Sequence, residues 1–424
     1  MLNPQADPPP DQAASSRAPA TVLSVPLRLL ALLMALTGLS ALALNMMTPA
    51  VPGLAATFQT TPAHAQLTIT LFLVGLAVAQ LLLGPLSDRI GRRPVLLGGM
   101  AVAALAAGAA IFATSLDALI AARVAQAFGS ATGVVVGRAI IRDLADRDRT
   151  AGLIGLVTTV MIVSPMLAPI IGGLLDTYYG WIAIFIFQCA FAGILFVWAL
   201  LVLPETRAPT VRQGGGFSHL FHDLKALNRS IPFWCYALCG PLSCGPFYVY
   251  LGGTPHAVVT MLGRSSAEYG FWSVLPAIGY MLGNALSTRL SPRYGVDRVM
   301  RWGMIILNGG GILLCAAVAF APTAPVWQVA AFFLPQVLLT FGNGMVMPNT
   351  IAGAISVRPE AAGTAAGIVG FLQMGIGAMI AQHASIVIAN ADSIMPLAWL
   401  SLFYTLLAAI PVGLVSWLNR AGKQ

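Results

Sequence analysis

Long stretches without a formal charge constrain this chain more than any other feature. From Leu29 to Ser87 there is no Lys, Arg, Asp or Glu, and from Pro94 to Leu116 there is none again. About 18 or more uncharged, mostly apolar residues can cross a hydrocarbon core of roughly 30 Å as a helix. Such runs dominate here: 58% of residues are hydrophobic and 8% charged, against about 25% charged in a soluble domain. So little charge cannot cover a water-facing surface. Helices are expected over strands, because lipid offers no partners to backbone N–H and C=O groups and the alternation of a membrane barrel is absent.

The charge-free runs, with the Pro, Gly and polar breaks between them, predict twelve spans. The first six lie near 28–47, 66–86, 94–114, 118–138, 151–175 and 181–203, and the second six near 232–253, 269–289, 300–320, 326–349, 362–388 and 396–418. Residues 1–26, rich in Pro and Ala, read as a disordered cytoplasmic tail. A six-helix half over 27–203, a cytoplasmic middle loop over 204–231, a second half over 232–418 and a short tail over 419–424 complete the organisation. In the middle loop Phe217, Leu220, Phe221, Leu224 and Leu227 recur at helical spacing, so His219 and His222 are expected on an amphipathic helix at the membrane face rather than on a metal. A signal-peptide reading ending at Ala41-Leu42-Ala43 is the weaker one, because the apolar run there is as long as a span.

Basic residues test this count, since Lys and Arg collect on cytoplasmic loops. With both termini inside, 20 of the 22 fall on the cytoplasmic side; Arg264 alone falls outside and Arg123 alone within a span. The net charge of +8 is then a topology signal, and no nucleic-acid partner is needed. The five cysteines lie in apolar segments; Cys235 and Cys239 are at i, i+4 without His or carboxylate beside them, so they read as packing residues and no metal site is expected. No cofactor motif is found. A membrane-embedded enzyme would need clustered His, Asp, Glu or Cys on facing helices, and that reading is the rival from another class.

The charge that does occur is concentrated. In GPLSDRIGRRPV (84–95), Asp88, Arg89, Arg92 and Arg93 fall within six positions. An echo follows 200 residues later, where Leu286-Ser287-Thr288-Arg289 aligns with Leu86-Ser87-Asp88-Arg89 and Arg293 with Arg93. Parallel repeats of this kind characterise one large group of transporters. The stretch from Gly84 to Arg93 resembles the signature loop of the major facilitator superfamily, and Arg123-x-x-Gln126-x-x-Gly129 its fourth-helix motif. Ser164-Pro165 through Pro169 to Gly172-Gly173 resembles the fifth-helix motif of its antiporters. LNMMTPAVPGL (44–54), VVVGRAIIRDL (134–144), LPET (203–206), AEYGFW (267–272) and AGTAAG (362–367) are similar to the Bcr/CflA drug exporters. The resemblance implies the all-α major facilitator fold, a small-molecule substrate and protons as the coupling partner.

Three groups of residues are expected to carry function. Asp88, with Arg89, Arg92 and Arg93, can latch the cytoplasmic ends of neighbouring helices, with Gly84, Pro85 and Gly91 fixing a turn; Thr288 stands where the second half would have the acid. Arg123 is an intramembrane charge, which normally faces an interior cavity with a partner, and Gln126 shares its face. The resemblance implies a helix 1 acid beside that Arg, where this chain has Asn45, and none of the 14 acids lies mid-span; Asp88 and Asp143 fall at cytoplasmic ends, Asp117 and Asp176 at outer ends. Between the halves Phe247, Tyr248, Tyr250, Tyr280, Asn284 and Gln373 are candidates for a substrate cavity, suited to neutral or cationic amphipathic molecules. Gly129, Gly133 and Gly137 form a small-residue face for helix packing, and Pro165 and Pro169 are expected to bend helix 5. The expectation is a monomeric secondary transporter in the bacterial inner membrane that exports such compounds by proton antiport. A metabolite exporter or an uncoupled uniporter is the alternative.

Overall fold

The structure, a computed structural model, describes residues 26–144, 147–206 and 227–421. The tail before Pro26, the middle-loop segment from Phe217 to Leu224 and the last three residues lie outside the described residues.

Among the described residues twelve helical rods follow one another: α1 Leu27–Thr57, α2 Pro62–Ile90, α3 Arg92–Ile111, α4 Leu116–Leu144, α5 Arg147–Tyr179 and α6 Trp181–Val202, then α7 from Ile231 to Met261, α8 from Ser266 to Tyr294, α9 Val296–Ala319, α10 Pro325–Ser356, α11 Ala362–Ala389 and α12 Met395–Ala421. Ten of these are long and apolar enough to cross a membrane. The other two, α7 and α8, are interrupted. α7 breaks at Cys244 between Ile231–Ser243 and Gly245–Pro255 and ends in a π-turn, His256–Met261. α8 breaks at Ser273 between Ser266–Trp272 and Val274–Tyr294. Each break lies just before a proline, Pro246 or Pro276, which has no N–H for the carbonyl one turn earlier. No strand occurs among the described residues.

The two halves have the same packing plan. In the first, α1 lies on α5 and α4, α2 on α4, and α3 on α4 and α6; in the second, α7 lies on α11, α8 on α10, and α9 on α10 and α12. Large apolar side chains such as Leu105 (74% exposed), Leu201 (80%) and Trp417 (64%) face outward, as lipid rather than water requires. The halves meet along two seams, α2 with α11 and α5 with α8.

Glycines set the internal register. A side chain at Gly129 would strike the Gly99 carbonyl and the Ala103 nitrogen, and one at Gly342 would strike the Gly303 carbonyl and the Leu307 nitrogen. The α2–α3 and α8–α9 corners turn on Gly91 (φ 114°) and Gly295 (φ 82°), whose N–H groups bond Ser87 and Ser291 carbonyls. Gly75 and Gly279, Gly91 and Gly295, and Gly99 and Gly303 are each 204 positions apart. The 200-residue echo is therefore off by one turn, and Pro292, rather than Thr288, occupies the place of Asp88. The physical reason is that the corner glycine, not the charge pattern, fixes where the helix ends.

Candidate functional site

At the end of the bundle that holds the termini, Arg92 is the centre of a clamp. Its side chain is 1% exposed. One guanidinium nitrogen donates to Asp88 Oδ1 at 2.7 Å and to Ser87 Oγ at 2.6 Å, while Nε donates to Asp143 Oδ2 at 3.0 Å. Backbone N–H groups of Arg92 and Arg93 donate to the two carboxylate oxygens of Glu205 at 3.0 and 3.3 Å, so an acid caps the N-terminus of α3. Arg93 reaches the Leu200 carbonyl at 3.0 Å. The clamp thus joins α2, α3, α4 and the segment after α6, all within the first half. Three residues expected in this group are placed differently. Gly84 and Pro85 lie inside α2, which runs on to Ile90, so only Gly91 makes the turn. Arg89 is exposed at the helix end.

At the same corner of the second half α8 and α10 are tied by neutral side chains, while Asp297 beside them accepts from the Tyr236 hydroxyl at 2.6 Å. Ser291 Oγ donates to Asn349 Oδ1 at 2.8 Å, and Asn349 Nδ2 donates to Ser287 Oγ at 2.8 Å. Thr288 is exposed and donates to its own helix at the Ala285 carbonyl.

Deep in the first half Arg123 is fully buried. It donates to Gln126 Oε1 at 2.7 Å and to the Thr68 carbonyl at 3.4 Å, and its guanidinium lies 4.0 Å from the Phe72 ring centre and 5.9 Å from that of Phe185. Gln126 Nε2 donates to Gln188 Oε1 at 2.8 Å, and Gln188 Nε2 to the Ala43 carbonyl at 3.3 Å. A polar chain therefore runs from α4 through α6 to α1. The cation has no carboxylate partner among the described residues and rests on amide oxygens and ring faces. Asn45 does not bond the guanidinium: its Nδ2 donates to the Ala41 carbonyl of its own helix at 2.7 Å. It sits two residues beyond the end of the polar chain. Gln188, Asp143 and Glu205 had weaker signals in the sequence: a lone amide in the apolar run IFIFQCAF, an acid in the last turn of α4, and the acid of LPET.

The fifth-helix motif lies where the halves touch at the end remote from the termini. A side chain at Gly172 would strike the Met46 carbonyl, one at Gly173 the Ser266 carbonyl, and Gly270 of α8 packs on the Pro169 carbonyl. Ser266 Oγ lies 2.6 Å from Asp176 Oδ2 and 3.1 Å from the Pro49 carbonyl, and can donate to either. Pro165 and Pro169 are both interior to α5. On the other seam Thr70 donates to Gln382 Oε1, and Gln382 Nε2 to the Ala63 carbonyl, both at 2.8 Å.

The six cavity candidates divide. Tyr248 (2% exposed) faces Gln373 of α11 and lies close to Tyr280, with its ring against Gly377 and Phe247. Tyr250 (5%) turns into the second half, stacked on Tyr269 at 5.7 Å and edge-on to Phe333. Tyr280, Asn284, Phe247 and Gln373 keep partial exposure, although the backbone of Tyr280 and Asn284 packs against Gly344. Two open cavities lie elsewhere: one of about 490 Å³ beside Glu268 and Trp272, and one of about 630 Å³ between Tyr236, Asp297, Arg298 and Ser416.

Two six-helix halves with one packing plan, joined along seams and each built on close backbone contact, define a helical membrane transporter. The chain belongs to the Major Facilitator Superfamily, whose family profile matches residues 33–382. It is 32% identical over 405 residues to Multidrug resistance protein D of Escherichia coli (strain K12), covering 93% of this chain and 96% of that one. It is also 32% identical over 329 residues to a Chloramphenicol resistance protein of Pseudomonas aeruginosa, covering 76% and 74%. Among solved structures, an inward-facing bacterial homolog of the human lysosomal transporter Spinster superposes with a TM-score of 0.71 at 17% identity, over 93% of this chain and 98% of that one.

Proposed function

We propose that this protein exports small amphipathic organic compounds, drugs among them, by alternating access across a bacterial inner membrane. The observation that carries the reading is likeness to drug-resistance proteins over nearly the whole chain, together with a buried Arg123 chain in the first half that has no carboxylate among the described residues. The seams close at the end remote from the termini, through Ser266, Asp176 and Gln382. With the termini cytoplasmic, that closed end is the external one. Rocking the halves apart there and together at the Arg92 end completes the cycle. A monomer suffices, since each half supplies part of the seam.

The orientation has its own test. In a cysteine-free background, Arg264→Cys is expected to react with an impermeant thiol reagent from outside intact cells and Arg289→Cys only after permeabilisation. The reverse pattern would invert the assignment.

Proton coupling is the part of the proposal most exposed to experiment. A proton-driven exporter needs a group that titrates near neutral pH, commonly a partly buried carboxylate, and Asn45 cannot titrate. In proteoliposomes, export by the wild type is expected to depend weakly on an imposed pH gradient, and Asn45→Asp to depend on it strongly. Its new carboxylate would sit beside the polar chain that starts at Arg123. Strong proton drive in the wild type, unaltered by the substitution, would place coupling on another acid, with Asp176 at the seam the next to examine.

A further inference from the structure

Gln336 of α10 is a buried amide for which the fold shows no use. It is 1% exposed, and neither its nitrogen nor its oxygen has a hydrogen-bond partner. An amide so placed gives up its hydration without compensation, and an apolar side chain of similar size would be more favourable there.

Its position in the repeat is informative. Gly129 and Gly342 make matching contacts with α3 and α9, and Gly75 and Gly279 lie against the carbonyls of Val124 and Val337 respectively. Both pairs, Gly129 with Gly342 and Val124 with Val337, are 213 positions apart. The same shift carries Arg123 onto Gln336. Each half therefore buries one polar side chain at the same level of the same helix, a cation in the first and an amide in the second.

The surroundings are aromatic. Phe333, one turn before Gln336, meets the rings of Tyr250 and Tyr269 at 5.7 and 6.1 Å. Asn343, two turns after, meets Ser243 and Cys244 of α7. The face of α10 that carries Gln336 thus looks at α7 beside its interruption at Cys244, where the backbone is already released from one helical bond. Phe247 and Tyr248, cavity candidates on that helix, lie between the two contact levels.

We propose that Gln336 is a substrate-contacting residue, the uncharged counterpart of Arg123, which exchanges hydrogen bonds with a neutral hydroxyl, amide or carbonyl group of an exported compound. The inference rests on the export reading. An amide both donates and accepts, so it suits neutral polar groups, whereas a lipophilic cation without hydrogen-bonding groups gains nothing from it.

The test uses the full-length, detergent-solubilised protein and two probes, chloramphenicol, which carries hydroxyls and an amide, and tetraphenylphosphonium, which carries neither. Gln336→Leu is expected to weaken chloramphenicol binding about tenfold, the scale of one or two lost hydrogen bonds. Tetraphenylphosphonium binding should stay the same and the melting temperature should not fall. Gln336→Asn should recover part of the chloramphenicol affinity. Unchanged chloramphenicol binding, equal weakening of both probes, or a fall in melting temperature would each overturn the assignment while leaving the export reading intact. A wild type that binds neither probe would overturn both.

Discussion

Arg123→Met is expected to abolish export while leaving a folded protein that resists heat at least as well as the wild type. The opposite signs follow from the site. The guanidinium is fully buried, held by the Gln126 amide oxygen, the Thr68 carbonyl and the face of Phe72, and one of its nitrogens has no partner. A buried charge that no carboxylate compensates is unfavourable, because burial strips its hydration without an opposite charge in return. Met keeps the bulk and removes the charge. Export should fail nonetheless, because the polar chain through Gln126 and Gln188 loses the only fixed charge at its head. Arg123→Lys keeps the charge without the planar fork and should fall between. Flux in proteoliposomes and a thermal melt on the same preparations check both halves of the expectation; a Met variant that still transports would remove Arg123 from the mechanism.

Arg92→Met should do the reverse, lowering stability sharply. Asp88 and Asp143, with side chains 32% and 21% exposed, converge on this one cation, and Ser87 accepts from it as well. Removing one partner from a buried ion pair typically destabilises by about 3–5 kcal/mol, because the other charge stays behind. Both acids would lose the cation they share, and Asp143 would keep the Thr206 hydroxyl at 3.4 Å. At the matching corner of the second half, Ser291→Ala removes one neutral hydrogen bond to Asn349, on the order of 1 kcal/mol. Thr288→Ala should be silent, since that hydroxyl is exposed and bonds its own helix. Thermal melts of the three variants in one detergent would show the difference; equal shifts at the two corners would contradict the charged-against-neutral asymmetry.

Much of this architecture was legible because a bilayer enforces it. Where water is absent the backbone must satisfy itself, so charge-free length translates almost directly into helices such as α3 and α6. The pairing of Arg123 with Gln126 was legible for a similar reason, since residues three apart share a helix face. What composition could not show was tertiary. Asn45 and Gln188 are both lone amides in apolar runs, and only packing decides that one turns back to Ala41 while the other completes the chain from Arg123. The corner glycines set the repeat at 204 rather than 200, against a charge pattern that pointed one turn away. Pro246 and Pro276 marked the interruptions in α7 and α8, but each fell inside an apolar run that read as continuous.

The glycine contacts inside each half bear on how the molecule moves. Where Gly129 lies on the Gly99 backbone, Gly133 on that of Leu36, and Gly342 on that of Gly303, main chains touch with no side chain between them to change rotamer. Such interfaces are nearly incompressible and cannot absorb displacement by repacking. Each half should accordingly behave as a solid block, with slow amide exchange through the middle of α3, α4, α9 and α10. Displacement is then left to the seams and to the two interrupted helices, where one or two main-chain bonds are already missing and the activation barrier for bending is lowest.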